Sequence, residues 1–169
     1  MADAQASMLL RMCSLYAALL SLEALPQLAG ELTGSLGFAA LVRVFRRVSR
    51  MFALRVREYC CPEAGPEGFL VEAARANMEA GGAFELLPVA VERVDGVLRV
   101  VFRRRTGCGA EPLLCLAPFL GLVAGVYEAY GRSVVVGSDR GRVASFRGVV
   151  RVYPGRAAGG EAVVVAEAG

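Results

Sequence analysis

Phe84-Glu-Leu-Leu-Pro-Val-Ala-Val-Glu-Arg93 and Val97-Leu-Arg-Val-Val-Phe-Arg-Arg-Arg105, joined through Asp95-Gly96, form the stretch that decides how this 169-residue chain folds. On both sides of the Asp-Gly pair apolar and polar residues alternate with a period near two, and Asp-Gly tolerates the positive φ that a tight turn requires. The stretch predicts two antiparallel strands over 84–93 and 97–105. Everything before it has a period nearer four, so the chain changes from helix to strand close to residue 83.

Upstream, Leu9, Met12, Leu15 or Tyr16, Leu19 and Leu22 recur at helical spacing over about residues 5–24, and Pro26 with Gly30 marks the end. Leu10, Ala17 and Leu20 widen that stripe, so this helix needs cover on more than one side, which a second subunit supplies. A second helix is expected from about Ser35 to Glu58, with Leu41, Phe45, Val48, Phe52 and Tyr59 as its core line and Arg43, Arg46, Arg47, Arg50 and Arg57 solvated. After the loop at Pro62, Gly65 and Pro66, a short helix over about 67–80 ends at Gly81 and Gly82.

Downstream, residues 106–109 read as a loop, and a further helical run leads to Tyr130 before Gly131. Its start is either Pro112 or a point near Ala117, with Pro118 in the first turn. Strands follow over 133–136, 142–153 with a bulge at Gly148, and 161–165, separated by a turn at 138–141. The order predicts an α+β fold in one domain: a helical part over about 5–82 packed on an antiparallel sheet that is interrupted by a helix, over about 83–169. No run has the uninterrupted apolar length of a bilayer span, so no transmembrane segment is expected. Signal-peptide character around Met8 to Leu25 is spoiled by Asp3 and by the lack of a cleavage site.

The chain has no histidine, and all nineteen of its basic residues are arginine. Imidazole catalysis, lysine Schiff bases and phosphate loops built on lysine are thereby excluded. The hydrophobic share, 56%, exceeds what a soluble domain of this size normally carries, which points to an apolar interface or an internal cavity. A net charge of +3 is too small to signal nucleic-acid binding unless arginines cluster. Five cysteines, an odd number without CxxC spacing, argue against a secreted disulfide framework and for a cytoplasmic protein.

The candidate sites follow from these limits. Gly121 and Gly125 let another element approach the helix backbone closely, while Phe119, Leu122 and Val126 are the expected wall of an apolar cavity, with Arg132 at its mouth to select an anionic head group. Cys108, Cys115 and Cys60 are candidates for redox chemistry or a disulfide, pairing as Cys108 to Cys115 or Cys60 to Cys108; neither Cys60 with Cys61 nor Cys108 with Cys115 has the spacing of a zinc site. No cofactor and no catalytic residue is expected. The reading is a homodimer through the N-terminal helices that binds a small hydrophobic or acyl ligand. The alternative is a nucleic-acid binder that uses the long helix's arginines and Arg103, Arg104 and Arg105.

The run Leu113-Leu-Cys115-Leu-Ala-Pro-Phe119-Leu-Gly121-Leu-Val-Ala-Gly125-Val-Tyr-Glu-Ala-Tyr-Gly131 resembles the late helix of the TRAPP-like superfamily, which includes 4-vinyl reductase-type domains. Cys108, Cys115, Gly121, Gly125 and Gly131 fall where that pattern has its cysteine loop, its paired small residues and its terminal glycine. The resemblance implies a cavity for a small molecule or acyl chain between helices and sheet, and dimerisation through the leading helices. The family's late cysteine is absent, and Gly137-Ser138-Asp139 echoes its glycine-aspartate motif only loosely.

Overall fold

The structure is a computed structural model and describes residues 17, 21, 24–33, 35–60, 64–105, 107–157 and 159–169. Most of the expected helix over 5–24, with Cys13, lies outside the described residues, as does Cys61. The described chain runs α1 (Leu25–Thr33), α2 (Ser35–Cys60), α3 (Pro66–Glu79), β1 (Ala90–Val94), β2 (Val97–Arg103), α4 (Pro112–Ala129), β3 (Ser133–Val136), β4 (Val149–Pro154) and β5 (Glu161–Ala168). This is an α+β fold of helices on a five-stranded sheet in the order β1-β2-β5-β4-β3.

The hairpin forms where the alternation predicts it. Asp95 and Gly96 both have positive φ, 50° and 80°, and pair Val94 with Val97 across the turn. The first strand is shorter than expected, because residues 84–88 are drawn into a turn by Asn77, whose side chain is fully buried. Its Nδ2 donates to the carbonyls of Phe84, Leu87 and Pro88, and its Oδ1 accepts from the Phe84 amide.

The sheet is mixed, which corrects the expected antiparallel arrangement. β3 runs parallel to β4, and the other neighbours are antiparallel. Residues 137–148 make the crossover without a long helix, holding only a 3-10 turn at Arg140–Arg142, where Asp139 accepts from the Arg142 amide. The expected strand from 142 is thus a loop, and Gly148 (φ 78°) lies in a turn closed by the Val149 amide on the Phe146 carbonyl. The loop covers the outer sheet face, where Val143 packs with Tyr153 and Val165.

α4 lies between the sheet and α2, which explains why it is apolar all round. It begins at Pro112, in the first turn where a missing N–H costs nothing, and it carries Pro118 inside. By length and composition, with mean hydropathy 1.6, α4 meets the description of a membrane span, which the sequence reading did not anticipate. In this fold 72% of it is buried, with Phe119 packed on Phe102 of β2 at 4.8 Å between ring centroids. One core joins helices and strands, including Leu41, Leu70, Phe102, Phe119, Val152 and Val164.

Candidate functional site

The close approach of α2 and α4 sets which surfaces remain open. Gly121 and Gly125 face α2: a Cβ on Gly121 would lie 2.7 Å from the Val42 carbonyl oxygen, and one on Gly125 2.3 Å from that of Arg46. Only a face of small residues accepts such contact, so α2 turns Val42, Ser49 and Ala53 inward, all buried. This overturns part of the expected core line. Leu41 is buried and Phe45 half-buried, but Val48 and Phe52 point to solvent. Val44 (52% exposed), Val48 (59%), Met51 (51%) and Phe52 (52%) make a contiguous apolar strip on the outer side of α2. The Tyr59 side chain lies outside what is described.

The arginines of α2 divide in two. Arg46 and Arg57 turn inward: Arg46 pairs with Glu128 and donates to the Val134 carbonyl, while Arg57 donates to the Ala129 carbonyl and lies 5.6 Å from the Tyr130 ring centroid. Both support the carboxyl end of α4, where the helix dipole favours a cation. Arg43, Arg47, Arg50 and Arg55 are exposed and make no ion pair among the described residues. At 100° per residue Arg43, Arg47 and Arg50 lie beside the apolar strip, and Arg55 continues it. Arg103 and Arg105, at the end of β2 and just after it, are exposed, and Arg104 is half-buried.

Neither the family models nor the curated proteins nor the solved structures contain a significant match to this chain. The TRAPP-like resemblance therefore rests on the order of elements and the pattern in α4 alone, and function has to be read from the geometry.

The residues expected to wall a cavity lie in or against the core. Phe119 (0% exposed) and Val126 (2%) belong to the core, and Leu122 packs half-buried against it. None of the three lines the cleft at Arg132, the one between α2 and β3, or the one at the start of α4. Arg132 does line one, but it opens elsewhere, between the start of α3 and the ends of β4 and β5. Gly131 (φ 74°) brings it there by closing α4: its amide donates to Glu128 and the Arg132 amide to Tyr127.

Cys108 and Cys115 form a disulfide, which ties the loop after β2 to the first turns of α4. The alternative bond from Cys60 to Cys108 is thereby displaced; Cys60 ends α2, and its side chain is not described. Among the described residues no three Cys, Asp or Glu side chains gather as a metal site requires. Sequence reasoning missed Asn77, Tyr127 and the inward role of Arg46 and Arg57. A lone Asn in the last turn before Gly81-Gly82 was the one local signal, since a polar residue there can serve the turn that follows.

Proposed function

We propose that this chain is a non-enzymatic binding or scaffold protein that acts as a homodimer, with the outer face of α2 as its self-association surface. The observation that carries this is the strip Val44, Val48, Met51 and Phe52, half exposed on a helix whose opposite side is already packed. A 26-residue helix is about 39 Å long, enough for two copies crossing along their strips to remove all eight side chains from water. Soluble oligomers most often close as two-fold dimers, in which one patch meets its own copy. Arg43, Arg47 and Arg50 then stay at the hydrated rim, and the stem of Arg55 covers apolar surface.

The same arginines favour a second reading, nucleic-acid binding, because they are exposed and make no ion pair among the described residues. Salt separates the two. Self-association places like charges near one another and strengthens as salt screens them, whereas phosphate contacts weaken steeply. Sedimentation equilibrium at low and high salt is the test, on wild type and on the doubly substituted Val48→Ser, Phe52→Ser protein. The proposal expects a wild-type dimer that tightens with salt and a folded, monomeric variant. A monomeric wild type, or a dimer indifferent to the substitutions, overturns it; retention of RNA or DNA that is lost with salt supports the alternative.

A further inference from the structure

The cleft that holds Arg132 has features the apolar surfaces lack. Its volume is about 410 Å³, and its walls come from four separate segments: Gly65 to Gly68, Tyr127 and Arg132, Gly148 to Val150, and Ala168 with Gly169. The first segment is the start of α3, a 14-residue helix whose N-cap, Gly65, offers no side chain to its free amides. Pro66 has no N–H, and the first bond of the helix runs from the Phe69 amide to the Gly65 carbonyl at 3.0 Å. The amides of Glu67 and Gly68 thus have no intrahelical acceptor, at the end of the helix where the dipole is positive.

A helix start alone would mean little, but Tyr127 points independently to a ligand. It is 5% exposed and lines the cleft, yet its hydroxyl has no hydrogen-bond partner among the described residues. The ring is held in the core while the hydroxyl stays accessible from the cleft, free to donate to what enters it. Burial, followed by the charge of Glu67, pushes this phenol above its usual range, so it stays protonated and able to donate, while Arg93 and Arg132 act the other way. Arg132 is exposed and makes no ion pair among the described residues. Among the described residues that line the cleft, the one side-chain carboxylate, Glu67, is paired with Arg93.

We propose that this cleft binds a small organic phosphate: Arg132, the Tyr127 hydroxyl and the first amides of α3 hold the phosphate oxygens, and the walls of Pro66, Val149, Val150 and Ala168 cover an apolar body. Arg132, the Tyr127 hydroxyl and the first amides of α3 offer a cation and donors to the cleft, which suits a phosphate monoester. The space exceeds what a bare phosphate ion fills, and the apolar walls reward a ligand that carries carbon. The site lies away from the α2 strip, so it stands or falls separately from dimerisation.

Titration calorimetry with phenyl phosphate, inorganic phosphate and phenol as probes tests this on the full chain. Phenyl phosphate is expected to bind best, and Arg132→Gln and Tyr127→Phe are each expected to weaken it by about tenfold, the scale of one charge-assisted hydrogen bond. Tyr127→Phe removes no hydrogen bond made among the described residues, so its thermal midpoint should equal or exceed wild type, which separates a binding role from a structural one. Arg147→Gln, an exposed arginine outside the cleft, is the control and should change nothing. Absence of binding, binding untouched by both cleft substitutions, or an equal loss in Arg147→Gln overturns the site. Inorganic phosphate binding as tightly as phenyl phosphate overturns the organic ligand.

Discussion

Gly125 lies so close to α2 that a methyl group placed on it would be 2.3 Å from the carbonyl oxygen of Arg46 and 2.8 Å from the amide nitrogen of Arg50. Both are backbone atoms, which cannot rotate away. Gly125→Ala must therefore push the two helices apart, stretching the Arg46 to Glu128 ion pair that bridges them. Overpacking of this kind costs about 3 kcal/mol, and the gain in helix propensity from Gly to Ala returns about 1 kcal/mol. The expected net loss is about 2 kcal/mol by urea denaturation, with a smaller loss for Gly121→Ala, whose closest contact is 2.7 Å. A Gly125→Ala protein as stable as wild type would show that the helices are not in this contact.

Asn77 should prove as costly to change as any apolar core residue. It is wholly buried and satisfies three carbonyls and one amide of the turn before β1. Asn77→Ala leaves those groups without partners and opens a small void, for an expected loss of about 3 kcal/mol. Asn77→Asp keeps the shape but replaces a donor with an acceptor facing carbonyl oxygens, and is expected to cost at least as much at neutral pH. Thermal melts of both variants beside Met78→Ala, an exposed neighbour, check this.

These two residues mark what the sequence could and could not disclose. The hairpin at Asp95-Gly96, the cap at Gly131 and the strand Ser133–Val136 were legible because turn chemistry and local alternation decide them. Close packing at Gly121 and Gly125 was legible as a possibility, but the identity of the facing helix was not. That identity decides which side of α2 is buried, so Val48 and Phe52 read as core by their helical spacing and yet face solvent. The parallel pairing of β3 with β4 depends on how a helix-free crossover closes, and alternation is blind to strand direction. The cleft was not legible: Arg132 was singled out for a different cavity, and Tyr127 and the start of α3 reach this one from segments the sequence does not join.

Joining Cys108 to Cys115 closes a short loop, and the chain-entropy argument assigns such a loop about 2 kcal/mol. Replacing both cysteines with serine should lower the thermal midpoint by about 4–8 °C for a chain of this length. The reductant that opens the bond in wild type should give a similar shift and leave the double variant unchanged. Intact mass after alkylation under non-reducing conditions reads the pairing directly. Labelling of both Cys108 and Cys115 in freshly purified protein would contradict the bond.

Glu167 predicts the acid limb of stability. Its carboxylate accepts from the Tyr153 hydroxyl at 3.0 Å and pairs with Arg140 at 3.1 Å and Arg151 at 2.8 Å. Burial pushes this carboxyl up, but the bonds from Tyr153 and Arg140 and the charge of Arg151 outweigh it and hold the group below its ordinary 4.5. A carboxyl that is more acidic folded than unfolded stabilises the fold above the unfolded value, and that stability is lost as pH falls through the folded value. Glu167→Gln should therefore be less stable than wild type from neutral pH down to about pH 5, with the gap closing at lower pH as the wild-type carboxyl takes up its proton. Urea midpoints across that range measure it. A gap that stays constant to the lowest pH would mean that Glu167 acts through packing rather than through its charge.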